Sequence, residues 1–98
     1  MFLAKVIGTV VSTQKNQKFQ GMKLLLIQPY ITREGELVAS GSSVVAVDSV
    51  GSGIGELVMF TQGSSARLTD ITRDSPTDTV IIGIVDSVEV GGKRLAKP

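Results

Sequence analysis

The 98-residue sequence predicts an all-β domain: a small five-stranded OB-like β-barrel with one short helix before the last strand. Three observations predict it. Apolar runs of strand length, rich in Val, Ile and Leu, alternate with turn chemistry, and no stretch sustains a helical period. Pro29 and Gly83 fall inside two of these runs, at places where a strand must bend, bulge or lie at an edge. The chain is also short, and closing a small sheet on itself removes the free edges that a flat sheet would present.

The first strand spans Phe2 to Thr13. Leu3, Ile7 and Val11 fall on one alternate set and Phe2, Ala4, Val6 and Val10 on the other. One set faces the core of a barrel, and the other faces solvent or a subunit. Gln14–Gly21 is polar and basic and reads as a solvated connection. Met22–Ile31 is the second strand, centred on Leu24-Leu25-Leu26-Ile27, with Pro29 marking an edge position, a bulge or its end. Thr32–Ser43 is turn chemistry, with Leu37-Val38-Ala39 as a short ribbon between turns.

Val44–Val47 is the third strand and Glu56–Thr61 the fourth. Between them lies Gly51-Ser52-Gly53-Ile54-Gly55, with glycine at every second position. Glycine tolerates positive φ and close backbone approach, so this loop brings backbone close to something. Ser64 or Ser65 is placed to cap a short helix over Ala66–Thr72, where Leu68 and Ile71 share a face. Arg73–Asp78 is a loop. Thr79–Val90 is the last strand, bent or bulged at Gly83 and ended by Gly91-Gly92, with Lys93–Pro98 as a polar tail.

Composition narrows the function. Apolar residues make up 42% of the chain, aromatics 4% and charged residues 19%, the last below the usual quarter. A small domain of this kind has surplus apolar surface, which self-association hides. There is no Cys and no His. Disulfides, thiolate or imidazole metal sites and His-assisted nucleophiles are thereby excluded. Net charge is +1, which gives no electrostatic case for nucleic acid or anionic lipid. The opening MFLAKVIGTVV is broken by Lys5, Gly8 and Thr9 and does not read as a signal peptide. No apolar run is long enough for a spanning helix.

The loop does not read as a phosphate cradle. In a dinucleotide fingerprint the third glycine would fall on Glu56, and a strand follows where a helix is required. A tight glycine turn between strands fits, as does a loop packed against symmetry copies. The carboxylates Glu34, Glu36, Asp70, Asp74, Asp78, Asp86 and Glu89 are scattered, and nothing in their spacing sets up an acid–base pair. Asp48 and Glu56 flank the glycine loop. Glu56 reads as an interface or capping acid, with Arg67 as its natural ion-pair partner. Phe2 and Phe60 lie in apolar runs and are expected in the core, which leaves few aromatic platforms for single-stranded nucleic acid. No catalytic residue, cofactor or metal is expected. The alternative to a self-associating protein is a monomeric OB-like module for single-stranded nucleic acid or a small anion.

Four segments carry a resemblance: AKVIGTVVSTQKN at the start, GMKLLLIQP after it, VDSVGSGIGELVMFTQGSSAR, and a late VIIGIVDSVEV. The chain resembles the bacterial microcompartment vertex proteins, the family of pentameric shell proteins of carboxysomes and ethanolamine-utilisation compartments. The resemblance spans Ala4 to Val90. Its most specific part is Asp48 to Arg67, an Asp…Gly-x-Gly-x-Gly-Glu…Gly-Ser-x-Ala-Arg pattern. It implies one structural, non-catalytic domain over residues 1–98 that forms a cyclic homopentamer. The pentamer would close the vertices of a cytoplasmic polyhedral shell whose flat facets are hexameric proteins, with neither nucleic acid nor membrane as partner. It also implies that Asp48, Gly51, Ser52, Gly53, Gly55, Glu56 and Arg67 lie at the subunit interface or pore loop.

Overall fold

A computed structural model describes residues 1–11, 22–63 and 78–98. Its strands are β1 (Phe2–Thr9), β2 (Lys23–Arg33), β3 (Glu36–Ala39), β4 (Val44–Asp48), β5 (Leu57–Gln62), β6 (Thr79–Ile84), β7 (Glu89–Val90) and β8 (Lys93–Arg94). The strands β1-β5-β6-β4-β2 follow one another around a sheet that closes where β2 pairs with β1. All closing contacts are antiparallel except the short β4–β6 pair, Val47↔Val80 and Asp48↔Ile81. The five-stranded barrel expected from the sequence is therefore present. The helix over Ala66–Thr72 lies outside the described residues.

The barrel interior follows from strand alternation. Ala4 and Val6 of β1, Leu25 and Ile27 of β2, Ala46 of β4, Val58 and Phe60 of β5 and Ile81 of β6 form one buried cluster. These are mainly branched aliphatics, which pack well on a pleated surface. A second cluster joins Val47 and Val80, with Met22, Leu24 and Ile82 against them. These residues alternate with the interior set along the same strands, so they lie on the other face of the sheet.

Two bulges help the small sheet curve. In β1 the register slips between Val6 and Gly8, which leaves Ile7 as the extra residue, 44% exposed. In β6 it slips between Ile81 and Gly83 opposite Met59 and Phe60, as the glycine in this run predicts. Pro29 is neither a strand end nor a bulge. It marks a change of partner: β2 pairs with β4 as far as Ile27 and with β3 from Tyr30 onward. Pro29 needs no acceptor there because it has no N–H. Its carbonyl accepts from Ser40 N at 3.0 Å, and Gln28 Nε2 donates to Pro29 O and Gly41 O, both at 3.1 Å.

Four expectations are corrected. β1 ends at Thr9, and Val11 is 90% exposed. The last strand does not run to Val90: β6 stops at Ile84, beyond the bulge, and Glu89–Arg94 folds into a separate two-stranded ribbon. Gly91 and Gly92, at φ +60° and +82°, make its tight turn, the backbone that a two-residue hairpin requires. The tail beyond is not wholly polar and solvated, since Leu95 is 4% exposed and its N–H bonds to Val88 O at 2.8 Å. Phe2 is not core. It is 54% exposed at the barrel end, with its ring 5.4 Å from that of buried Phe60.

Candidate functional site: the pinned glycine loop

The segment from Asp48 to Glu56 carries β4 over to β5 across one end of the barrel. Its anchor is Asp48, the last residue of β4, whose side chain is 1% exposed. A carboxylate so buried must be satisfied, and here the loop satisfies it. Asp48 Oδ2 accepts from Ser52 N at 2.9 Å, and Oδ1 accepts from Val50 N at 3.2 Å and from Ser52 Oγ at 3.0 Å. This is an Asx-type turn extended two residues further, to Ser52. Lys23 stands opposite Asp48 in the β2–β4 register. Its Nζ lies 3.6 Å from Asp48 Oδ2 and donates to Ser52 O at 2.5 Å.

The loop is tied to two further strands. Ser49 donates to Ile81 O of β6 through both its Oγ, at 2.6 Å, and its N–H, at 3.3 Å. Gly55 N donates to Val6 O of β1 at 2.8 Å, and Val6 N donates to Glu56 O at 3.0 Å. Glu56 closes the far side. Its Oε1 accepts from Gly53 N at 2.7 Å, and its own N–H donates to Gly53 O at 3.1 Å. The capping role expected of Glu56 is thus present within one subunit. Arg67 and its pairing with Glu56 lie outside the described residues.

The three glycines serve different ends. Gly51 and Gly55 have φ of +77° and +92°, a region that side-chain-bearing residues rarely enter. Gly53 does not have positive φ, and a Cβ there would meet only Glu56 Oε1, at 3.6 Å. What the backbone approaches at this loop is the protein's own carboxylates and β1.

This arrangement bears on chemistry. A phosphate nest needs several N–H groups free and pointing at one place. Here the N–H groups of Val50, Ser52, Gly53 and Gly55 already bond to Asp48, Glu56 and Val6. Two carboxylates sit where an anion would have to approach. Asp48 is closed off by its own loop, so it is in no position to move a proton for a substrate. Outward, the loop shows Val50 and Ile54, 38% and 66% exposed. It presents a fixed shape with an apolar tip, which suits contact with another protein surface.

Of the residues named from the sequence, Asp48, Gly51, Ser52, Gly53, Gly55 and Glu56 come together in this one unit. Lys23 and Val6 were missed. The local pattern could point to Asp48, because an Asp followed by Ser and glycine is an Asx-turn signature. Lys23 lies 29 residues from Ser52. Its only signal is that it is the single charge between Met22 and Ile31.

Barrel and loop define a small closed β-barrel with a rigid, polar-braced loop at one end. Residues 1–86 match the family described as "Ethanolamine utilisation protein EutN/carboxysome", and the chain belongs to that family. It is 49% identical over 90 residues to the bacterial microcompartment shell vertex protein PduN of Salmonella typhimurium, covering 90% of this chain and 98% of the relative. Among solved structures, the GrpN pentameric microcompartment shell protein from Rhodospirillum rubrum superposes with a TM-score of 0.77. It is 48% identical, over 92% of this chain and 98% of that one. Gloeobacter violaceus CcmL superposes with a TM-score of 0.85 at 39% identity, covering 96% of this chain and 94% of the other.

Proposed function

We propose that this chain is a structural vertex protein of a bacterial microcompartment shell, assembling as a cyclic homopentamer. The observation that carries this reading is a match along nearly the whole chain to shell vertex proteins, one of them pentameric. The exposed surface supports it. Phe2, Ile7, Ile54 and Ile84 are each more than 40% exposed, an outlay of apolar area that a ring contact would remove from water. A flat layer of hexagonal tiles cannot close, and five-fold units supply the missing curvature. The pentamer therefore meets hexameric shell proteins around its rim and resides in the shell inside the cell.

No turnover is assigned to the chain. Its most organised polar group, Asp48 with Lys23 and Ser52, is bonded internally. The glycine loop, Asp48 to Glu56, together with Arg67, is assigned to the subunit contact or the edge of the central opening. Its bracing keeps Ile54 at a fixed height, which a ring of five identical contacts needs.

Native mass spectrometry of the purified chain tests the reading. A single species of five subunits is expected, unchanged by added oligonucleotide. A monomer would overturn it and return attention to an OB-like binding module. Replacing Ile54 with Asp, at a tip where the fold has nothing to lose, should weaken the ring. A ring equally resistant to dilution would remove the loop from the contact.

A further inference from the structure

The outer wall of the barrel at the start of β1 is built of apolar side chains in register. Leu3 pairs with Tyr30 on one side and with Met59 on the other, and Met59 pairs with Gly83. Leu3 and Met59 alternate with the core residues Ala4 and Val58, and the β6 bulge between Ile81 and Gly83 turns Gly83 to the side of Met59, so the row lies outside the barrel. Gly83 has no side chain, and the Met59 methyl occupies the space it leaves: a Cβ there would lie 2.7 Å from Met59 Cε. At the barrel rim Phe2 and Ile31, which continue the inner-face sets of Ala4 and Ile27, join Leu3, Tyr30 and Met59 of this row in lining a shallow groove of about 420 Å³. Phe2 is 54% exposed and Ile31 38%. Among the described residues no charged side chain lines it, and Met1 and Thr32 complete the lining. The outside of a solitary barrel would carry polar residues at these positions.

We infer that this groove, formed by Phe2, Leu3, Tyr30, Ile31 and Met59, is one of the two unlike faces of the ring contact, covered by the neighbouring copy of the chain. The inference rests on the pentamer reading. In a cyclic ring each subunit meets its two neighbours through different patches, since only a two-fold contact uses the same patch twice. The glycine loop can supply one face. It is bonded to β1 at Val6, four residues along the strand from Phe2, so the groove is a separate surface on the same wall. A second copy is the occupant that the pentameric relative supplies, and it is present wherever the chain is.

The chain provides its own reporter. Tyr30 is the sole tyrosine and there is no tryptophan, so intrinsic fluorescence reads the groove alone. Acrylamide quenching of Tyr30 should be weak in the full-length ring and rise several-fold on dilution, in step with loss of the pentamer by native mass spectrometry. Ile31→Glu, on a side chain already partly exposed, should leave the circular dichroism spectrum unchanged. It should raise the dissociation midpoint about 100-fold, the usual cost of a charge forced into an apolar contact. Val45→Glu makes the same change on β4, where Val45 is 48% exposed, and should keep the ring.

Three results would overturn the assignment. One is a Tyr30 equally quenched in ring and dissociated chain. Another is a ring whose midpoint Ile31→Glu does not move, or that Val45→Glu weakens as much. The third is a Tyr30 shielded only when a purified hexameric shell protein is added, which would give the groove to that partner. A wild-type chain that is monomeric fails the pentamer reading itself. A wild-type pentamer indifferent to Ile31→Glu fails only the groove.

Discussion

Two glycine-rich turns of this molecule look alike in sequence and differ in what holds them. Gly51-Ser52-Gly53-Ile54-Gly55 and Gly91-Gly92 both contain glycines at positive φ. The first is bonded to β1, β2 and β6 and closed around a carboxylate that is 1% exposed. The second turns a two-residue hairpin whose cross-strand ion pair, Arg94 Nε to Glu89 Oε1 at 3.9 Å, joins side chains 73% and 56% exposed. Glycine supplies conformational permission in both. Only in the first do buried polar groups convert it into a fixed shape. A glycine loop is therefore a candidate contact because of what braces it, not because of its glycines.

Substitutions can break that contrast or sharpen it, and the largest effect belongs to Asp48. Asp48→Ala removes the acceptor for Val50 N, Ser52 N and Ser52 Oγ and leaves buried donors unsatisfied. A loss of about 2–4 kcal/mol is expected in urea unfolding. A loss under about 1 kcal/mol would show that the loop holds itself without its anchor. Gly55→Ala comes next. Nothing lies within 4 Å of the added methyl, so the cost is purely that of φ +92°, about 1–2 kcal/mol. Gly53→Ala is the internal control, and at its ordinary φ a change within about 0.5 kcal/mol is expected. If the two alanines cost the same, the positive φ is not what selects glycine at position 55.

Glu56→Ala should cost about 1 kcal/mol by stranding the Gly53 N–H, and Glu56→Gln, which keeps an oxygen acceptor, about half of that. Equal losses from the two would mean that the charge matters more than the hydrogen bond. The smallest effect is expected at the other turn. Glu89→Ala should stay within about 0.5 kcal/mol, because an exposed ion pair is screened by solvent. A larger loss would mean that the ribbon is braced in a way its exposure does not show.

The barrel was legible because strand periodicity, bulge glycines and turn residues are local signals. β1, β2, β4 and β5 fall where the apolar runs place them, to within a few residues at their ends. The last strand was overextended because Thr79–Val90 keeps an apolar composition through Ile84 and Val85. The pairing with β5 carries on past the bulge, with Val85 N still bonded to Leu57 O at 2.8 Å, and it ends there because Leu57 is where β5 begins. Phe2 was misplaced for a similar reason. Its alternation is that of Ala4 and Val6, but the barrel ends before it is covered. The loop residues Asp48 to Glu56 were found as a group, whereas Lys23 and the outer row Leu3, Tyr30 and Met59 were not. Their positions depend on which strands become neighbours.

The sequence by itself determined the fold class, the absence of thiol and imidazole chemistry, and the stretch from Asp48 to Glu56 as the most distinctive part of the chain. Composition and periods of two residues suffice for those conclusions, because side-chain chemistry and strand alternation act within a few residues. The tertiary structure alone decided that Asp48 is satisfied by its own loop, that Lys23 braces it from β2, and that apolar side chains from three strands line one outer wall. Each of these joins residues far apart in the chain. Which strands lie side by side is set by closure of the barrel, through the pairing of β1 with both β2 and β5.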